Sequence, residues 1–452
     1  SDTSSISVLV NPTPNAVATP ASQTICSATS ISTIVLTGAV SGTTYAWTRN
    51  NTASVTGIAA SGSGNIFGSL TNTTNAPVTV TFTITPTANN CPGAAITATV
   101  LVNPTPNAVA TPASQTICSG AITTIALSGA VIGTTYAWTR DNTASATGIA
   151  ASGSGNISGT LTNTTNAPVT VTFMITPTAN SCPGASITAT VLVNPTPSYT
   201  FTSDGVPYSE GDTITACHQD VLALAITSPV TVTYTFTRLS NGNVINTGTT
   251  PGSFNFTATN AKEGYYEIGI TNSFGCILKD TIYLLVNPLP NPIATATPNP
   301  ICQGGSLQLG VNGGNNFGFA WSGPNGYTSN VKNPVINGIL PSASGVYTVT
   351  VTNLNGCSDT SSVSVLVNPT PTAVATPASQ TICSAASIST IVLSGAVSGT
   401  TYAWTRDNAV AVTGIAASGS GNISGTLTNS TNAPVTVTFT ITPTANSCPG
   451  AS

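Results

Sequence analysis

Cysteine is the residue type here whose number and spacing carry chemistry. Ten are present: Cys26, Cys91, Cys118, Cys182, Cys217, Cys276, Cys302, Cys357, Cys383 and Cys448. No CxxC occurs, so the close ligand pairs of a zinc site are not on offer. Taken in order, Cys26 goes with Cys91, Cys118 with Cys182, Cys217 with Cys276, Cys302 with Cys357 and Cys383 with Cys448. Regular, distant pairs of this kind predict structural disulfides in an oxidising compartment. Buried free thiols are the alternative. Pairing in order would close a loop of about 65 residues in each repeat, worth roughly 2–4 kcal/mol where strain is small.

Other chemistry is sparse. Asp204, Glu210, Asp212, Asp220, Glu263 and Glu267 gather in one stretch with His218, the single histidine. Tyr199, Phe201, Tyr208, Tyr234, Tyr265, Tyr266 and Tyr283 lie in the same stretch. A dedicated ligand or calcium site belongs there if anywhere, yet the acidic spacing matches no EF-hand loop. A solvated edge is the plainer reading. No GxSxG, P-loop or HExxH motif occurs. The Gly-rich Ser61–Gly64 lacks a following Lys and helix, and reads as a turn. The chain carries 7 Lys+Arg and 11 Asp+Glu in 452 residues, a net charge of −4. At 4% charged, against about 25% in ordinary domains, it offers no phosphate-binding surface, so no nucleic-acid partner is expected. Highly charged disorder is excluded as well. The composition favours a structural or binding role over an enzyme, with no catalytic residue, cofactor or metal.

Repeats decide how these residues are positioned. Val-Asn-Pro-Thr-Pro begins at Val10, Val102, Val193 and Val367, with VNPLP at Val286. Each interval between these marks holds one cysteine pair and has the length of a small domain. The expected organisation is a final strand of a preceding module over 1–10, then modules over 11–102, 103–193, 194–286 (divergent, more charged and aromatic), 287–367 (short) and 368–452. A longer period lies above this one. Asn11–Ala95 and Asn368–Ser452 align without a gap at 73 identical positions of 85, and Ser1–Pro14 matches Ser358–Pro371 at the same offset of 357. That reads as a window on a longer repetitive polypeptide.

Each module reads as a small all-β domain. Val78–Ile84 (VTVTFTI) alternates apolar residues with Thr, the period of a half-buried strand, and β-branched Thr suits an extended backbone. Val169–Ile175 and Val435–Ile441 repeat it. Ile96–Val102, Ile34–Leu36, Thr44–Thr48 and Ile66–Leu70 are further candidates, and no segment shows a capped helical period. About seven short strands in roughly 90 residues predict a β-sandwich. Trp47, Trp138, Trp321 and Trp404 follow the first Cys of their modules at a nearly constant distance, and Phe236 replaces the Trp in the third. A large ring at a fixed strand position is expected to plug the core; stacking on sugar is the functional alternative.

Pro104 and Pro106 and their equivalents stiffen each linker, so a semi-rigid rod is expected. The fifth module lacks its last strand, whereas Ser5–Val10 is such a strand in register. An arbitrary window explains this; head-to-tail strand lending between chains is the sharper possibility. No N-terminal signal and no run of 18 apolar residues is present in this window, so no transmembrane segment is expected within it.

TICSA, TICSG and ICQGG, the YAWT or FAWS strand, GSGNISG and the NSCPG turn together resemble the PKD-like, immunoglobulin-like repeats of giant Bacteroidota surface proteins, gliding-motility adhesins of the SprB type among them. GVYTVTVTNLNGCSD in the fourth module resembles a standard PKD repeat. The resemblance implies export by type IX secretion, a location at the bacterial cell surface or in a surface filament, and a part in adhesion or gliding. It also implies glycosylation at Asp-Ser/Thr-apolar sequences, making Thr213 and Thr281 candidate acceptors. The leading expectation is a structural stalk or filament of a secreted adhesin, its partners being neighbouring modules or copies of itself. The alternatives are a multivalent array binding surface glycans or matrix, and accessory repeats of a giant secreted hydrolase.

Overall fold

The computed structural model describes residues 5–452. Residues 1–4 of the expected preceding strand (1–10) lie outside them. Among the described residues the chain is β-structure with three 3-10 turns and no α-helix.

Module 1 shows the plan. Its strands are β1 (Val17–Thr19), β2 (Ser22–Cys26), β3 (Thr29–Ser30), β4 (Val35–Thr37), β5 (Thr44–Arg49), β6 (Val55–Gly57), β7 (Ser61–Ser63), β8 (Ser69–Asn72), β9 (Val78–Ala88), β10 (Cys91–Pro92) and β11 (Ile96–Asn103). One sheet runs β2-β11-β9-β5-β7, with β10 turned back on β9. The other face is built from β3-β8-β6 and the β1-β4 pair. The Thr/apolar alternation does what its period requires: Val80, Phe82 and Ile84 are fully buried, and Ala98, Val100 and Val102 face the same core from β11. The last strand, β11, lies between two neighbours. It is antiparallel to β9, with Val102 opposite Val78, and parallel to β2, with Asn103 opposite Cys26.

Five separate cores of buried residues lie within 18–102, 110–193, 201–286, 301–367 and 388–423. The chain is thus a tandem array of immunoglobulin-like, PKD-like sandwiches. Trp47, Trp138, Phe236, Trp321 and Trp404 are 2–8% exposed and lie in those cores. Trp47, Trp138 and Trp404 each meet a Phe edge to face, at 5.5–5.7 Å between ring centroids, a favoured geometry for aromatic pairs.

Module 5 departs from the plan. The strand expected over Val435–Ile441 is observed at Phe439–Ala445. Residues 435–438 and 379–383, whose counterparts in module 1 are strand, are irregular. The cause is visible in module 1, where β11 supplies the hydrogen bonds to both flanking segments. Among the described residues, no strand lies between the two segments in module 5. Phe439 and Ile441 are accordingly only half-buried, and a groove of about 650 Å³ opens between them and Ile382, Ile388, Val412 and Ile423.

Candidate functional site

The two cysteines of one module cannot meet. Cys26 ends β2 beside Asn103, at the module's exit, next to the Val78 end of β9. Cys91 turns back on Ala88, at the other end of β9. An 11-residue strand puts about 33 Å between those ends, whereas a disulfide requires Cα atoms about 4.4–6.8 Å apart. The in-order pairing is therefore corrected. The bridges are Cys26–Cys182, Cys118–Cys276, Cys217–Cys357 and Cys302–Cys448, with Cα–Cα distances of 5.5–5.6 Å. Each joins the first cysteine of one module to the second cysteine of the next, while Cys91 and Cys383 are unbridged.

Each bridge closes a clamp around a linker. Asn103, buried at the end of β11, donates through Nδ2 to the Asn180 carbonyl at 3.3 Å. Asn180 and Ser181 adopt positive φ, forming the tight turn that delivers Cys182 to the junction. Gly184, just beyond it, lies so close to the Pro106 carbonyl oxygen that a Cβ there would collide with it. Further along, Asn272 Nδ2 donates to the Pro195 carbonyl at 2.8 Å, and Asn353 Nδ2 to the Pro288 carbonyl at 2.9 Å. Asn368 Nδ2 reaches the Asn446 carbonyl at 3.4 Å. All four junctions thus hold an Asn-to-carbonyl bond and a disulfide. The linker prolines are gripped from the following module as well as stiffened by their own rings.

The polar cluster of module 3 is spread over its turns. Asp204 Oδ1 accepts from Ala223 N–H, Asp212 Oδ2 from Ser209 N–H, and Asp220 Oδ2 from Cys217 N–H. Glu263 accepts from the Tyr283 hydroxyl and Val286 N–H. Glu267 pairs with Lys279 at 2.9 Å. His218 Nδ1 accepts from Asn260 N–H. Among the described residues no three His, Cys, Asp or Glu side chains converge on one point. The Tyr199 hydroxyl donates to Asp280 Oδ2 at 2.6 Å; burial first, and this bond second, hold Tyr199 in its neutral form well above the ordinary range. Of the two candidate acceptors, Thr213 is exposed and Thr281 half-buried.

Two recurring residues stand out only in three dimensions. Arg49 Nε donates to the Ile58 carbonyl at 2.7 Å and Nη1 to the Val55 carbonyl at 3.0 Å. Arg140 and Arg406 likewise clasp their own loops, through the Ile149 and Ile415 carbonyls. Asn72 Nδ2 reaches the Val102 carbonyl at 2.8 Å, tying the second sheet to the exit strand. Their repetition after YAWT and before the VTVTFTI strands was the available signal.

Sequence comparison with curated proteins returns no match. Among solved structures, the insect immune protein hemolin aligns over 79% of this chain and 100% of its own, at 15% identity and a TM-score of 0.24. The N-terminal eight Ig domains of Down syndrome cell adhesion molecule align over 98% and 68%, at 12% identity and 0.26. Sidekick-1 immunoglobulin domains 1–5 align over 94% and 94%, at 12% and 0.21. Residues 23–106, 115–197 and 380–452 match the PKD-like domain. These are modules 1, 2 and 5; module 4, with its GVYTVTVTNLNGCSD segment, is outside the matched residues. With more than half of its length matched, the chain belongs to the PKD-like domain family.

Proposed function

We propose that this chain is a load-bearing stalk segment of an extracellular adhesin, built to resist extension rather than to catalyse. The observation that carries the reading is the disulfide ladder between successive modules. The four loops overlap along the chain, so unfolding a module does not release its length. The shortest covalent route from Cys26 to Cys448 crosses to Cys182, follows the backbone to Cys217 and crosses to Cys357. It then runs back to Cys302 and crosses to Cys448. That route holds about 90 residues of backbone, roughly 300 Å at full stretch, against about 1,400 Å for the unbridged chain. A binding array gains nothing from such a limit; a tether does. Bridges of this kind suit an oxidising, extracellular setting. The resemblance to Bacteroidota surface repeats supports a surface stalk serving adhesion or gliding.

Single-molecule stretching between handles placed outside Cys26 and Cys448 tests this. The oxidised protein is expected to stop near roughly 300 Å even at forces that unfold every module, and reductant to release about 1,100 Å more. Equal extension in both states sinks the reading.

A further inference from the structure

We propose that module 1 carries a binding site for a neutral saccharide, built on Phe67 and absent from modules 2 and 5, which share its scaffold. The site lies where the β7 edge of one sheet passes β6 and β8 of the other. A cleft of about 570 Å³ opens there, within the roughly 300–1,000 Å³ of ordinary ligand pockets. Phe67 lines it and is 70% exposed. Every other aromatic side chain of modules 1, 2 and 5 is buried or half-buried. Residues 57–70 recur as 148–161 and 414–427 with two exchanges: Ser158 and Ser424 stand for Phe67, and Thr160 and Thr426 for Ser69. Arg140 and Arg406 clasp those loops as Arg49 does, and Asn156 and Asn422 accept from Leu127 and Leu393 N–H. One scaffold thus occurs twice without the ring.

The groups around the ring suit a sugar. A pyranose offers C–H bonds on its faces and hydroxyls at its rim, so it needs an aromatic face bordered by uncharged donors and acceptors. Ser61 and Ser63, both exposed, line the same cleft. Asn65 accepts from Leu36 N–H through Oδ1 at 2.9 Å, which leaves its amide nitrogen to donate outward. The backbone adds to these. β7 is an edge strand, to which Arg49 N–H donates at the Ala60 carbonyl, while Gly64 N–H donates back to the Tyr45 carbonyl, each at 2.8 Å. Bonded and unbonded pairs alternate in an antiparallel ladder, so Ser61 and Ser63 turn their N–H and C=O groups to the open edge. Arg49 is the one charged side chain over 11–102, and its guanidinium is engaged by the Val55, Ile58 and Ala59 carbonyls. A charged ligand finds no counter-charge there. One ring set among Ser, Gly and Asn does not make the contiguous apolar patch of a stable protein interface either. The walls are fixed in advance: the Arg49 bonds hold 55–59, and Trp47 Nε1 donates to the Gly64 carbonyl at 3.1 Å. Gly62 lies so close to the Trp47 indole that a Cβ there would overlap it. Such preorganisation lowers the cost of binding.

The site goes beyond the stalk reading and does not depend on it; stretching reads the bridges, whereas this experiment reads sugar binding on the unstretched, oxidised chain. The 452-residue protein, its phenylalanines ring-labelled with fluorine, is titrated with cellotetraose, maltotetraose, mannotetraose and N-acetylchitotetraose. Tetragalacturonate is the anionic control. Titration to about 10 mM detects dissociation constants on the order of 1 mM. The fluorine resonance that Phe67→Ser deletes belongs to Phe67. It is expected to shift saturably with at least one neutral tetrasaccharide and not with tetragalacturonate. By calorimetry, Phe67→Ser is expected to weaken binding at least about tenfold, and Phe67→Tyr, which keeps the ring, to retain it. Phe67→Ser installs the residue found in modules 2 and 5, so its melting is expected to match that of the parent. The proposal is overturned by a Phe67 resonance that no neutral sugar moves, by binding that survives Phe67→Ser, or by preference for the anionic sugar. Self-association that Phe67→Ser abolishes, with no sugar bound, overturns it as well and assigns the ring to a second copy.

Discussion

Gly184 is small because a carbonyl occupies the space where its Cβ would be. Its backbone angle is an ordinary one, so what it needs is room rather than conformational freedom. Gly184→Ala must therefore push the Cys182 turn off the Pro106 linker, at a cost of about 1–3 kcal/mol for overpacking. The expected outcome is a module 1–2 pair that melts a few degrees lower and whose Cys26–Cys182 bridge is reduced faster by dithiothreitol, with the other three bridges unaffected. The sequence showed a Pro-Gly turn after Cys91, Cys182 and Cys448 but not what it lay against. The buried Trp residues were easier to read. A ring recurring at a nearly fixed distance after each first cysteine, and replaced once by Phe236, fits a core that accepts any large apolar shape.

At the scale of elements, strand period predicted β9 and its copies well because Thr/apolar alternation leaves one face dry. It erred over 435–438, since a strand needs a hydrogen-bonding neighbour as well as a pattern. Amides of 379–383 and 435–438 are expected to exchange at least about 100-fold faster than those of 22–26 and 78–81, which β11 covers. Mass spectrometry of deuterated peptides reads this directly, and equal protection would mean that module 5 closes its edge by itself.

For the whole molecule, the near absence of charge matters. Among the described residues a single ion pair, Lys279 with Glu267, is formed, and Lys279 is largely exposed, where such a pair contributes about 0–1 kcal/mol. Screening therefore has little to remove. Thermal midpoints of the oxidised protein at about 0.05 M and about 1 M NaCl are expected to agree within about 2 °C; a larger drop in high salt would show that charge holds the modules together.

The amino-acid sequence by itself determined that the chain is β-structured, that it repeats, and that its linkers are rich in proline. Those properties rest on local rules: side-chain period, β-branching, proline geometry and the spacing of near-identical segments. Which cysteine meets which was decided only by the tertiary structure. Spacing along the chain suggested the two cysteines of one module as partners, but a sandwich strand carries them to opposite ends of that module. The partner brought within bonding distance is then in the next module, 140–158 residues away.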